Sequence, residues 1–215
     1  MKLPTPHGDK LRALLNNSKL PQEDVPRIEA CIQQYEDWIN RLQQLPTGSD
    51  FLDEAVAILN EYRLYLDLEV IFDSPRDFLY RQKGQLKLES SVIEEFLPYL
   101  VLKMFPEVQE AIQLDPQSCY ASLAFNSHCF DATPRAFVRK KDQDFAIGRL
   151  VRLNVGFGEG SLEQSETHSV SIGYVCVECK TNLDKTMFQE ALATARDLKS
   201  AVPSAKYLVL CEWLD

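Results

Sequence analysis

The chain has 215 residues, a formal net charge of -9 and 45% hydrophobic content. That length holds one or two domains with a real core. The negative balance argues against sequence-blind adhesion to nucleic acid, but it leaves room for a local basic surface around an acidic, metal-binding centre. No apolar run reaches membrane-spanning length, and the N-terminus lacks the apolar stretch of a signal peptide. Six cysteines show no framework spacing, so reduced thiols and a cytoplasmic setting are expected.

Residues 1–75 read as helical. Ile28, Ile32, Tyr35, Ile39 and Leu42 lie on one helical stripe. Leu45-Pro46-Thr47-Gly48-Ser49 breaks that helix. Ser49 or Asp50 then caps a second helix, with Leu52, Ala55, Ile58 or Leu59, Tyr62 and Leu66 inward. Two helices on so short a link predict an antiparallel pair, serving as a structural lobe or as an arm for a partner or DNA. Phe72-Asp73-Ser74-Pro75 closes the lobe. The expected boundaries are therefore 1–75 for the helical lobe and 76–215 for the rest.

Ser91 with Glu94 has the form of a capping box, which predicts a helix starting near Ser90 with Ile93, Phe96, Leu97, Leu100 and Met104 toward the core. Pro98 lacks the N–H that would bond to the carbonyl of Glu94, so a kink or a split is expected there. Glu94 or Glu95 can point into a site, and both also suit the first turn of a helix. Phe105 to Pro116 reads as a connection, followed by a strand near Tyr120–Phe125. Asp144 is expected to open the next strand, with Phe145, Ile147, Val151 and Leu153 on one face. Just before it, Arg135, Arg139, Lys140 and Lys141 form the densest positive charge in the chain. Bases in that place suit contact with a phosphate backbone; a solvated loop offsetting the acidic surface has the same look. Asp142 competes with Asp144 for the acidic role. Asn154 to Ser169 reads as a long loop, which makes the flanking strands a hairpin with a long tip.

Ile172–Lys180 is the stretch around which the rest is organised. Val175, Val177 and Cys179 share one strand face, and Glu178 and Lys180 share the other. A buried acid beside a buried amine is unfavourable unless a site uses them. The natural use is a hard cation with water or phosphate beside it. Cys176 and Cys179 also form C-x-x-C, with His128-Cys129 as further zinc donors, but residues three apart on a strand face opposite ways. His168 has no visible partner and reads as a surface histidine. Thr186 with Gln189 has capping-box form for a helix with Met187, Ala191, Ala195 and Leu198 packed. Tyr207-Leu208-Val209-Leu210 reads as another buried strand, so near Asp215 that the native chain is expected to extend past it.

The order is a helix with Glu94, a strand with Asp144, a strand ending Glu178-Cys179-Lys180, a helix and a strand. It resembles the PD-(D/E)xK nuclease superfamily. Gln143-Asp144-Phe145-Ala146-Ile147-Gly148 stands for the Pro-Asp element, with glutamine in the proline's place, and Val177-Glu178-Cys179-Lys180 for the (D/E)-x-K element. With Ser90–Leu97, the pattern is most similar to type II restriction endonucleases of the Bpu10I-type group. The resemblance implies an α/β (α+β) restriction-endonuclease-like core, with a central mixed sheet flanked by helices, behind the N-terminal helical lobe. It implies Mg²⁺ held by Asp144, Glu178 and the backbone carbonyl of Cys179, with Lys180 and Glu94 (Glu95 as substitute) completing the catalytic set. The implied substrate is double-stranded DNA, gripped by Arg135, Arg139, Lys140 and Lys141. The implied assembly is a homodimer, or a heterodimer with a related nuclease subunit. The alternatives are a repair or recombination nuclease on the same core, and a non-catalytic DNA- or protein-binding module with a degenerate nuclease fold.

Overall fold

The computed structural model describes residues 3–106, 113–126, 135–156 and 165–214. The main helices are α1 (Pro6–Leu15), α2 (Val25–Gln44), α3 (Phe51–Tyr65), α4 (Phe78–Leu86) and α5 (Leu88–Met104), followed by β1 (Gln113–Asn126), β2 (Arg135–Val155), β3 (Glu166–Leu183), α6 (Lys185–Ala201) and β4 (Lys206–Leu214). The chain divides into two compact units, residues 1–107 and 108–215. The helical unit thus runs about thirty residues past the expected boundary at 75. The physical reason is packing: Leu79 of α4 and Leu88, Val92 and Phe96 of α5 are buried in one core with α1, α2 and α3. Among the described residues no helix is long and apolar enough to cross a membrane.

The α2 stripe is displaced from the expected one. Ile28, Cys31, Tyr35, Trp38 and Leu42 are buried, whereas Ile32 and Ile39 pack only at the margin. Cys31 and Trp38 complete a 3-4 spacing equally well, and the larger ring takes the interior, stacked on Tyr62 with centroids 5.0 Å apart. On α3 the inward row is Phe51, Ala55, Leu59 and Tyr62, while Leu52 is exposed.

α5 starts at Leu88, not near Ser90, because Lys87 adopts φ 50° and turns the chain sharply out of α4. Ser91 is therefore one turn inside the helix and does not cap it. Its hydroxyl donates to the Leu88 carbonyl at 2.9 Å. The helix also passes through Pro98 as a single element. Nearly every side chain from Leu88 to Phe96 is buried, and that packing outweighs the roughly 3 kcal/mol that an interior proline costs a helix.

In the second unit the sheet order is β1-β2-β3-β4, with β1/β2 and β2/β3 antiparallel and β3/β4 parallel. The sheet is therefore mixed, as expected. The strands are longer than the sequence suggested. β1 begins at Gln113, inside the expected connection, and β2 begins at Arg135, so Asp144 lies mid-strand. The β2–β3 ladder continues out to Val155 opposite Glu166, so the flanks of the expected long loop are strand. His168 is in that ladder opposite Leu153, with Nε2 3.5 Å from Glu166. On α6 the N-cap is Asp184, whose carboxylate accepts from the Met187 N–H at 2.8 Å, and not Thr186. Ala191 and Leu198 pack inward, but Met187 is exposed. β4 lies at the edge of the sheet order, so Leu208 is exposed where a buried strand was expected.

Candidate active site

Three irregularities shape the middle of the sheet. Gln117 of β1 pairs with Gln143 of β2, and Asp115 with Ala146. Two residues, Asp144 and Phe145, therefore stand opposite Pro116 alone. Proline has no N–H to give to the ladder, and a bulge in the partner strand absorbs the mismatch. On the other side β3 carries its own extra residue, Tyr174, between the pairs Ile147↔Val175 and Gly148↔Gly173. Glycine is required at 173, because a Cβ there would come within 2.5 Å of the Cys176 sulfur and 2.9 Å of the Cys119 sulfur.

The third irregularity is the end of the β2–β3 ladder at Phe145↔Val177. One residue further on, Asp144 and Glu178 come opposite each other. There the Asp144 side chain takes the place of a strand partner, and its Oδ2 accepts the backbone N–H of Cys179 at 2.7 Å. In an extended strand a residue's N–H and C=O lie on the same side. The Cys179 carbonyl is thus on the side of β3 that faces Asp144. β3 meanwhile stays paired with β4, through Glu178↔Val209, Cys179↔Leu210 and Lys180↔Cys211.

Glu178 is engaged at both oxygens. Lys180 Nζ is 2.7 Å from Oε1, and the Tyr207 hydroxyl donates to Oε2. The acid and the amine keep 21% and 30% of their side-chain exposure, enough to be reached from outside. Burial pulls the Lys180 ammonium down, but the hydrogen bond and charge of Glu178, with Asp144 and Glu190 adding, leave it above its ordinary value. It is a cation and a donor, not a neutral base. Burial and the bond to Glu178 push the Tyr207 phenol up, so it too remains a donor. In the sequence Tyr207 reads only as one apolar member of a strand. Its pairing opposite Cys176, two residues before Glu178, was the missing information.

The donor set suits a hard divalent cation. Asp144 and Glu178 stand on facing strands with the Cys179 carbonyl on the same side, so the donors there are all oxygen, and Mg²⁺ is typically held by one or two carboxylates with waters and a phosphate completing its shell. Among the described residues no group of three His, Cys, Asp or Glu side chains is placed to hold a metal ion. Cys176 points away from Cys179, toward Cys119 at 4.0 Å between sulfurs. His128 and Cys129, the further donors of the rival zinc reading, lie outside the described residues.

Other expected site residues are distributed differently. Asp142 is exposed, while Gln143, in the proline's place, is buried and bonds its own neighbour's carbonyl at 2.6 Å. The basic residues sit on β2 opposite β1, not in a loop. Arg139 and Lys141 both reach Asp197 on α6, at 3.8 and 3.0 Å, while Lys140 turns to the Ser169 carbonyl at 3.5 Å. Arg135 is exposed. Glu94 belongs to the helical unit, where it is nearly buried and pairs with Lys10 at 3.6 Å. Glu95 is fully buried there. It accepts the backbone N–H groups of His7 and Gly8 at 2.9 and 3.2 Å and the Tyr35 hydroxyl at 2.6 Å. It acts as a remote N-cap for α1, whose own N-cap, Thr5, makes no side-chain cap bond.

A model of the Bpu10I restriction endonuclease family matches residues 85–215, more than half of the chain. The chain belongs to the Bpu10I restriction endonuclease family. The family match begins at the end of α4 and takes in all of α5, so it crosses from the helical unit into the sheet unit. Among solved structures, the native BbvCI A2B2 tetramer at low resolution is similar at a TM-score of 0.66 and 21% identity, covering 96% of this chain and 74% of that one. The likeness establishes that this Bpu10I-family chain shares its fold over nearly its whole length. No curated protein sequence matches the chain.

Proposed function

We propose that the chain is a Mg²⁺-dependent type II restriction endonuclease, or one subunit of such an enzyme, hydrolysing phosphodiester bonds in double-stranded DNA at a defined sequence. One observation carries it: at the end of the β2–β3 ladder, Asp144 faces the Cys179 backbone and Glu178 pairs with Lys180. Asp144, Glu178 and the Cys179 carbonyl would hold the ion. When bound, Mg²⁺ supplies positive charge beside the scissile phosphate and a lowered pKa for water near it.

The chain's own groups do the rest. Lys180, kept protonated, orients the attacking water and donates to the charge that grows on the phosphoryl oxygens. Glu178 holds Lys180 at the site until substrate arrives. Asp144, tied to the Cys179 N–H, keeps its second oxygen directed by the backbone and not by a flexible partner. Glu94 is proposed as a further acid of the family's set, on the ground that the family match takes in its helix. Arg135, Arg139, Lys140 and Lys141 would neutralise phosphates next to the cut.

One such site cuts one strand, so a double-strand break calls for a second site. The BbvCI structure is an A2B2 tetramer, which supports pairing this chain with a copy of itself or with a related second subunit. The test is digestion of a mapped DNA with Mg²⁺, with and without candidate partner subunits. Sharp, reproducible bands are expected. Cutting that follows DNA structure instead of sequence would point to a repair nuclease, and no cutting under any combination would point to a binding module.

A further inference from the structure

Both oxygens of Glu178 are claimed by neighbours of opposite kinds: a charged amine on Oε1 from the same strand, and a phenol on Oε2 from the adjacent strand. Donors at both oxygens fix the orientation of the carboxylate. Lys180 alone could not do this, because its four-carbon stem swings and carries the carboxylate with it. Tyr207 is different. Its ring is half-buried against the cluster of Cys119, Ala146, Cys176 and Leu198, its strand is registered to β3 at Cys176, and only its hydroxyl extends to the acid.

Resting on the reading of Glu178 as a metal ligand, we propose that Tyr207 is a positioning residue that orients the Glu178 carboxylate for a divalent cation and leaves Lys180 free to turn toward substrate. Glu178 has to release Lys180, at least in part, when a scissile phosphate arrives. A carboxylate anchored only by that lysine would lose its orientation at that moment; the hydroxyl of Tyr207 keeps it.

Tyr207→Phe removes the hydroxyl and preserves the packed ring. The probe is Mn²⁺, titrated calorimetrically into DNA-free protein, for wild type, Tyr207→Phe and Glu178→Gln. Removing the hydrogen-bond partner of a ligating carboxylate typically weakens metal binding 10- to 100-fold, so a shift of about 10-fold or more is expected for Tyr207→Phe with no change in melting temperature. In cleavage, the Mg²⁺ concentration for half-maximal rate should rise in step, and excess Mg²⁺ should recover most of the rate, which a purely structural defect would not allow. Unchanged Mn²⁺ affinity in Tyr207→Phe, with affinity lost in Glu178→Gln, overturns the role of Tyr207 and keeps the site. Unchanged affinity in both overturns the site, and the role with it. A lowered melting temperature that excess Mg²⁺ does not offset assigns Tyr207 to packing and overturns the proposal.

Discussion

Glu95 and Glu178 are both carboxylates in folded, partly apolar surroundings, yet they are built for opposite ends. Glu95, in the helical unit, is fully buried and engaged by two backbone N–H groups and a phenol, none of which has a reason to leave. Beside it His7 is equally buried, with Nδ1 3.1 Å from the Ser91 hydroxyl and Nε2 2.7 Å from the Tyr62 hydroxyl. Glu178, in the sheet unit, keeps a fifth of its side-chain exposure, and its main partner is a mobile amine. The buried polar set locks four helices together: α1, α2, α3 and α5. The partly exposed set is within reach of solvent, as the proposed ligand role requires. Partner type and reach from solvent, more than residue type, separate the structural acid from the one proposed for chemistry.

The contrast breaks most sharply at Glu95. Glu95→Ala strands the His7 and Gly8 N–H groups and the Tyr35 hydroxyl, which should destabilise the helical unit by about 3 kcal/mol or more, read in a urea melt. A stability loss below roughly 1 kcal/mol would mean that water or another group replaces it.

At the other pole, Lys180→Ala should leave the melt almost unchanged and reduce cleavage on the order of 10²-fold or more. Near-normal cutting by the purified variant would remove Lys180 from the chemistry. Asp144→Asn should abolish Mn²⁺ or Mg²⁺ binding in calorimetry, while Asp142→Asn leaves it intact, because Asp142 is exposed and Asp144 faces the Cys179 backbone. The reverse ranking would transfer the ligand role to Asp142.

pH sharpens the comparison in the helical unit. Burial lowers the His7 imidazole from 6.5 to about 3. A folded state that resists protonation binds fewer protons than the unfolded chain, so His7 contributes fully above pH 6.5. Its contribution falls by about 1.4 kcal/mol per pH unit as pH drops from there toward about 3. Glu95 works against this: burial raises its carboxyl, so its contribution becomes more favourable as pH falls through that raised value. The net acid loss is smaller than His7 alone would give. Chemical denaturation at a series of pH values should show it, and His7→Gln should flatten the slope; an unflattened slope assigns the acid sensitivity elsewhere.

The smallest effect is expected from charge on β2. Neutralising Arg139, Lys140 and Lys141 together should weaken binding to cognate and random duplexes alike and reduce the salt dependence of affinity, without changing which sequence is cut. Asp197 already engages two of the three, which moderates the loss. A salt slope equal to that of wild type would put the DNA on another surface.

The sequence by itself determined the parts whose signals are local. Alternation along Ile172–Lys180 put Glu178 and Lys180 on one face, the break at Pro46 and Gly48 separated α2 from α3, and the order of elements carried the mixed sheet and the family resemblance. Tertiary structure decided what depends on partners distant in sequence. That Ser91 lies inside α5 follows from the left-handed turn at Lys87, and that α5 survives Pro98 follows from burial on nearly every side. That Glu95 caps a helix 87 and 88 residues away is written in no local pattern. Nor is the bulge that sets Asp144 and Phe145 against Pro116, or the reach of Tyr207 to Glu178. Periodicity records which face of an element is apolar; it holds no record of which neighbour that face meets or of the strand register that brings two acids opposite each other.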